Sequence, residues 1–395
     1  MSHSSEMRPV RQSLLPYGKQ SIDGDDIQAV INVLKSDYVT TGPEIERFEK
    51  RIAEYVGAKY AVAFSNGTAA LHAACYAAGV QLGDEVITTP LTFAASANCI
   101  LYQGGKPVFA DVDERTYNID PKEIKKKITK KTKAIIPVDF TGQPAALDEI
   151  IAIARENNLV VIEDAAHALG STYKGKRIGS ISDMTMFSFH PVKHITTGEG
   201  GMITTNHKEY YEKLCQFRSH GITRDRGKMQ VDHGPWYYEM QDLGFNYRIT
   251  DIQAALGNSQ LNKLDRFISR RREIAAIYQD AWKGHKELIL PFQQIDGQSS
   301  WHLFVLRINS DAVRVDRKTI FTELIEQNIG VNVHYIPIYL FPYYQDLGFQ
   351  QGLCPVAEKV YEEFITVPLY PAMTNEDVQY VIAAVNRTIQ RYKRI

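Results

Sequence analysis

Between Tyr60 and Thr205, short apolar runs alternate with stretches of helical periodicity. The runs are Tyr60–Phe64, Glu85–Thr89, Pro107–Ala110, Ala134–Val138, Leu159–Glu163, Met184–Phe189 and Gly201–Thr205. Continuous apolar runs of strand length, separated by helices, belong to strands buried on both faces, so the pattern predicts an α/β fold with a mainly parallel seven-stranded sheet. Ser65, Thr89, Asp164 and Ser188 directly follow such runs. In an open α/β sheet, residues at strand exits converge on one rim, where ligands bind. After Asp251 the spacing predicts a long amphipathic helix from Gln253 to about Gln279. Beyond it come a strand at Trp301–Ile308, a helix at Arg317–Gln327, a strand at Val331–Tyr335 and helices near Ala357 and Asp377. The expected division is an N-terminal arm (1–14), a large domain (15–265) and a smaller C-terminal α+β domain (266–395). A loop between Ser219 and Leu243, containing Gly234-Pro-Trp-Tyr-Tyr, reads equally as a substrate cover or a surface excursion.

Composition narrows the class. At 395 residues and 44% hydrophobic, the chain can bury a large core. Lys plus Arg number 45 against 46 Asp plus Glu, a net charge of −1, which gives no electrostatic case for nucleic acid or an anionic membrane. The 4 cysteines, Cys75, Cys99, Cys215 and Cys354, have neither metal-binding nor disulfide-framework spacing. The first residues hold no apolar segment of signal-peptide length, and no run approaches the roughly 18 apolar residues of a membrane span, so a cytoplasmic enzyme is expected.

The candidate chemistry centres on Ser188-Phe-His-Pro-Val-Lys193-His-Ile-Thr-Thr-Gly-Glu-Gly-Gly201, which sets a lysine between a hydroxyl residue and a glycine-rich turn in apolar surroundings. A desolvated lysine has a lowered pKa and a useful fraction of free amine, able to form a Schiff base with an aldehyde. A solvated surface lysine is the bland alternative. Two further elements weigh against it. Leu159-Val-Val-Ile-Glu-Asp164 places an acid at the end of a buried strand, where it can hold a pyridinium proton. Ser65-Asn-Gly-Thr68, between a strand and an Ala-rich helix, offers unpaired N–H groups and hydroxyls to a phosphate. Together they point to pyridoxal 5′-phosphate. No Gly-x-Gly-x-x-Gly turn follows the first strand, against a nicotinamide enzyme. His190 and His194 are spaced i, i+4, but no further ligand is in register, so no metal is expected.

These residues resemble the DegT/DnrJ/EryC1/StrS sugar aminotransferases, fold-type I pyridoxal phosphate enzymes, from about Leu15 to the last helix. The resemblance rests on Thr41-Gly-Pro-Glu, Asn66-Gly-Thr-Ala-Ala-Leu, Thr89-Pro-Leu-Thr-Phe-Ala-Ala-Ser-Ala-Asn, Glu163-Asp-Ala-Ala-His-Ala, Ser188-Phe-His-Pro-Val-Lys and Asn246-Tyr-Arg-Ile-Thr-Asp. It implies that Lys193 is the Schiff-base lysine and proton carrier, that Asp164 pairs the pyridinium nitrogen and that Phe93 stacks on the ring. Asn66, Gly67, Thr68 and Ser188 are implied to hold the phosphate, with Asn246 reaching it from the other subunit of a homodimer. His167 stands where many relatives carry Gln, at the ring hydroxyl. Tyr17, the turn Val39-Thr40-Thr41-Gly42, His334 and Tyr335 are implied to line the nucleotide-sugar site, while His190 reads as a substrate-binding residue at the amino-donor site or just behind it. Leu15-Pro-Tyr-Gly-Lys-Gln, Thr196-Thr-Gly-Glu-Gly-Gly and His334-Tyr-Ile-Pro-Ile-Tyr resemble the pseudaminic acid branch. That branch moves an amino group from L-glutamate to C4 of UDP-2-acetamido-2,6-dideoxy-β-L-arabino-hex-4-ulose. Alternatives are another UDP- or dTDP-linked 4-keto-6-deoxy sugar, or a spore-coat or lipopolysaccharide sugar. A sugar dehydratase, which has histidine in place of the lysine, and a non-catalytic binding protein rank lower.

Overall fold

The computed structural model describes residues 11–394, so the expected arm is described only from Arg11 onward. All seven apolar runs form strands: β1 (Tyr60–Phe64), β2 (Glu85–Thr88), β3 (Lys106–Phe109), β4 (Thr132–Ile136), β5 (Val160–Asp164), β6 (Met184–Ser188) and β7 (Gly201–Thr205). They make one sheet in the order β1-β7-β6-β5-β4-β2-β3. The pairs among β2 to β6 are parallel, and β7 runs antiparallel to both β1 and β6. The exception has a local cause. No helix separates β6 from β7, so the chain has no crossover and folds straight back.

The register sets the rim. Gly201 pairs with Phe64 on one side and Ser188 on the other, so the exits of β1 and β6 flank it. A Cβ at position 201 would stand 2.5 Å from the carbonyl oxygen of Asn66. Only glycine lets the turn after β1 come this close to β7. The helix that follows, Gly67–Ala77, is almost wholly buried against the sheet, which explains its run of alanines.

The predicted helix 253–279 is two helices, Asp251–Leu261 and Leu264–Trp282. The chain turns at Asn262 and Lys263, where the Lys263 ammonium is drawn onto the buried Asp26 carboxylate at 2.8 Å and also pairs with Asp23. Periodicity carried no trace of this long-range tie. A capping box starts the first helix, with Thr250 and Gln253 satisfying each other's backbone N–H groups. Thr250→Ala is expected to lower stability by about 1 kcal/mol. A fall in the urea midpoint with unchanged slope is the check.

Helix Leu264–Trp282 belongs to two cores: Leu264, Phe267 and Ile268 pack on the large sheet, while Ile274, Ala275, Tyr278 and Trp282 pack in a second cluster. That cluster covers a three-stranded antiparallel sheet of Leu288–Ile289, Phe304–Ile308 and Phe364–Val367. Leu15 joins it by bridging Ile329. In place of the strand expected at Val331–Tyr335 there is a single bridge, Asn332 to Thr366. The segment leaves the sheet there, and the His334 ring is held at 2.9 Å by the Thr366 hydroxyl. Among the described residues no helix is long and apolar enough to cross a membrane.

Candidate active site

A cavity of about 750 Å³ opens at the exits of β1, β5 and β6. Tyr17 closes it from the N-terminal segment, and His302, His334 and Tyr335 close it from the C-terminal part. One end is built for an anion. Asn66 caps the helix Gly67–Ala77, its Oδ1 accepting the Ala69 N–H at 2.8 Å. The N–H groups of Gly67 and Thr68, in the first turn, have no partner among the described residues and line the cavity. The Ser188 hydroxyl stands beside them, and a Cβ on Gly67 would sit 3.6 Å from it. A helix N-terminus with free N–H groups and hydroxyls suits a phosphate. Ser65 is not on the cavity wall; its N–H donates to the Tyr247 carbonyl.

Lys193 lies on the loop after β6, fixed by its N–H to the His190 carbonyl at 2.9 Å. Desolvation, opposed by the Asp164 charge and reinforced by Arg271, lowers its pKa to about 8. The sign gives a test. Only the free amine attacks an aldehyde, and its fraction grows as pH rises towards the pKa. Capture of pyridoxal phosphate by the cofactor-free protein should therefore quicken about tenfold per pH unit below 8 and level off above it. A rate still climbing at pH 10 would mean the amine is solvated.

Asp164 is buried at the end of β5. Its Oδ2 accepts the Ser96 hydroxyl at 2.6 Å and its Oδ1 the Ala166 N–H at 3.1 Å. Burial pushes its pKa up, and these hydrogen bonds and Lys193 pull against that. His167 meets the Tyr335 hydroxyl through Nε2 at 3.2 Å, while its Nδ1 is buried without a partner. Burial holds the His167 ring well below the ordinary histidine pKa, so it is neutral. Phe93 lines the cavity with 64% of its surface open, an aromatic face free for a flat ring.

The set fits pyridoxal phosphate: an anion cradle, a desolvated amine, a buried carboxylate, an open aromatic face and a neutral imidazole share one cavity. Of the residues singled out in the sequence, the structure brings together Tyr17, Asn66, Gly67, Thr68 and Phe93 with Asp164, His167, Ser188, His190, Lys193, His334 and Tyr335. Two groups lie elsewhere in the same chain. The turn Val39-Thr40-Thr41-Gly42 is tied to Asp251, whose Oδ2 accepts the Gly42 N–H at 2.7 Å, and it is not on the wall. Asn246 is exposed, between Phe245 and Tyr247. The 219–243 loop also stays off the wall, presenting Trp236 and Leu243 to the outside.

Sequence reasoning missed His302, whose ring lies 4.4 Å from that of His167, and Tyr102, Tyr247 and Glu199 on the wall. His302 lies just before the apolar strand Phe304–Ile308 and reads in the sequence as part of its core. Nothing local marks it. Likewise His190 and His194 share no helix, for the loop between β6 and β7 has none.

Residues 20–386 match the DegT/DnrJ/EryC1/StrS aminotransferase family. The spore coat polysaccharide biosynthesis protein SpsC of Bacillus subtilis is 44% identical over 382 residues, 96% of this chain and 98% of that protein. The UDP-4-amino-4,6-dideoxy-N-acetyl-beta-L-altrosamine transaminase of Campylobacter jejuni is 37% identical over 385 residues, 96% of this chain and 99% of that protein. Among solved structures, Helicobacter pylori PseC, an aminotransferase involved in the biosynthesis of pseudoaminic acid, superposes with a TM-score of 0.90 at 32% identity, over 96% of this chain and 100% of that one.

Proposed function

Because the chain belongs to the DegT/DnrJ/EryC1/StrS aminotransferase family and so is a pyridoxal phosphate-dependent sugar aminotransferase, we propose that it carries the amino group of L-glutamate to C4 of a UDP-linked 4-keto-6-deoxy-N-acetyl sugar. The acceptor is UDP-2-acetamido-2,6-dideoxy-β-L-arabino-hex-4-ulose and the product UDP-4-amino-4,6-dideoxy-N-acetyl-β-L-altrosamine. The observation that carries the chemistry is the desolvated Lys193 amine facing the same cavity as Asp164 and the anion cradle. The choice of sugar is supported by the likeness to the altrosamine transaminase and by the Tyr17, His334 and Tyr335 wall.

Bound pyridoxal phosphate supplies an aldehyde and an electron-withdrawing ring. The residues do the rest. Gly67, Thr68 and Ser188 would hold the phosphate, Phe93 would cover one ring face, and His167 would stand by the ring hydroxyl. Asp164 keeps the ring nitrogen protonated. Lys193 Nζ takes the proton from the α-carbon of glutamate and later delivers one to C4 of the sugar. Tyr17, His334 and Tyr335 seat the sugar nucleotide.

We further propose that two copies share their sites. Asn246 and the Val39–Gly42 turn, exposed in one chain, reach the partner's cavity, and Trp236 and Leu243 are covered by the partner. The likeness to SpsC favours a second reading, in which the same chemistry serves a spore-coat or other polysaccharide sugar.

The test is a panel of UDP- and dTDP-linked 4-keto-6-deoxy sugars with pyridoxal phosphate and glutamate, products identified by mass and NMR. Conversion of the L-arabino UDP-4-ketosugar alone, with 2-oxoglutarate released, is expected. Conversion of a different member instead would move the substrate to the second reading.

A further inference from the structure

Two more carboxyl groups lie behind Asp164, and the reaction does not use them. Glu163 precedes it on β5 and, by strand alternation, points to the opposite face of the sheet. Asp139 lies just past β4, its N–H donating to the Asp164 carbonyl at 3.0 Å, while the Asp164 N–H donates to the Pro137 carbonyl at 2.9 Å. Both side chains have 0% exposure. Each has one satisfied oxygen: Glu163 Oε2 accepts the Thr185 hydroxyl at 2.8 Å, and Asp139 Oδ1 the Ala145 N–H at 2.8 Å. The other oxygens, Glu163 Oε1 and Asp139 Oδ2, are buried and have no donor. Among the described residues Thr185, the Ala145 N–H, Asp164 and the Ser182 hydroxyl, itself buried without a hydrogen-bond partner, are the groups that act most on the pair, and no cation is among these.

The two side chains interact directly, and two ionised carboxylates that close, each with a bare oxygen in a dry interior, would be strongly unfavourable. One proton removes the conflict. It turns one orphan oxygen into a donor and leaves the other as its acceptor. We propose that Asp139 and Glu163 share a single proton at neutral pH and act together as a positioning pair for Asp164. Burial, with the neighbouring carboxyl charge, pushes Asp139 well above the usual carboxylate range, and burial raises Glu163 too.

The pair has two consequences. Asp139 anchors the turn to Ala145, and the carbonyls of that turn at Thr141 and Gly142 take the N–H groups of His302 and Ser300, at 2.9 and 3.3 Å. The wall against His167 thus hangs on the same carboxyl group. The pair also keeps one net negative charge behind Asp164 that none of these groups cancels, so a proton on the cofactor ring nitrogen would be held more tightly. This second consequence rests on the role proposed above for Asp164.

Infrared spectroscopy of the cofactor-free protein at pH 7 tests the shared proton by itself, whatever Lys193 does. A protonated-carboxyl C=O band is expected, lost in Asp139→Asn and in Glu163→Gln but kept in Asp164→Asn. Either single amide replaces the shared proton with an N–H donor and retains the net charge; the double variant removes the charge. In the loaded protein, the pH midpoint at which the spectrum reports loss of the ring-nitrogen proton should match the wild type in each single variant. It should fall by about one pH unit, tenfold in proton affinity, in the double variant. Absence of the band in the wild type, or a midpoint unmoved in the double variant, would overturn the proposal.

Discussion

Replacing Lys193 with alanine is expected to stop transamination, with turnover down by on the order of 10⁴-fold or more, about 5.5 kcal/mol in barrier. The size follows from how many tasks one atom performs. Nζ is the amine that faces the cofactor aldehyde, and it is also the base that takes the donor's α-proton and returns a proton to the sugar carbon. No neighbour can replace it. His167, His194, His302 and His334 lie nearby, but burial is the main cause that lowers the pKa of all four, and it persists when Lys193 is removed. Neutral imidazoles held this far down are poor bases. The fold should survive, because Lys193 sits on a loop and its ammonium makes no hydrogen bond or ion pair among the described residues. Lys193→Arg separates charge from chemistry: it restores a cation without a free amine and should stay inactive. Release of 2-oxoglutarate from glutamate in single turnover, beside a thermal unfolding curve, is the check.

Asp164→Asn should cost about 10²- to 10³-fold in kcat, or roughly 2.7–4 kcal/mol, the range for losing one preorganised electrostatic partner. The amide keeps the shape of the carboxylate: its oxygen can accept the Ala166 N–H while its NH2 donates to Ser96 Oγ, whose hydroxyl turns to Thr92 Oγ1. What disappears is the negative charge. KM for glutamate should therefore change much less than kcat, since the donor does not touch Asp164. Ser96→Ala supplies a graded control. It leaves the charge and removes the 2.6 Å hydrogen bond that aims it, and a hydrogen bond to a charged group contributes about 1.5–3 kcal/mol. A loss of about 10-fold or somewhat more is expected. If Asp164→Asn lowered affinity for the cofactor and left kcat intact, its role would be to anchor rather than to stabilise charge.

Where local pattern decided structure, the sequence was legible. The seven strands of the large sheet lie within two residues of the apolar runs, because a strand buried on both faces must be apolar throughout. That Asn66–Thr68, Asp164 and Lys193 would come together was readable too, since the first two follow such runs directly and the lysine lies a few residues past another. Long-range contacts left no local mark. The break between the two helices falls at Lys263, which pairs with Asp23 and Asp26, some 240 residues away. His302 faces the cavity because its N–H hangs on Thr141, and an isolated histidine before an apolar strand cannot report that. The direction of β7 depended on a missing crossover rather than on its own composition. The turn at Val39–Gly42 and Asn246 illustrate a different limit: their proposed place is the wall of a second chain's cavity, and one chain can show only that they are exposed.

The most direct measurement is to load the protein with pyridoxal phosphate, reduce it with borohydride, digest it and locate the pyridoxyl group by mass spectrometry. The account predicts a single modified peptide, spanning Ser188 to Gly201, with the label on Lys193, and no label when glutamate is added before the reduction. A label on another lysine, or none at all in protein that still releases 2-oxoglutarate, would contradict the assignment of this cavity as the transamination site.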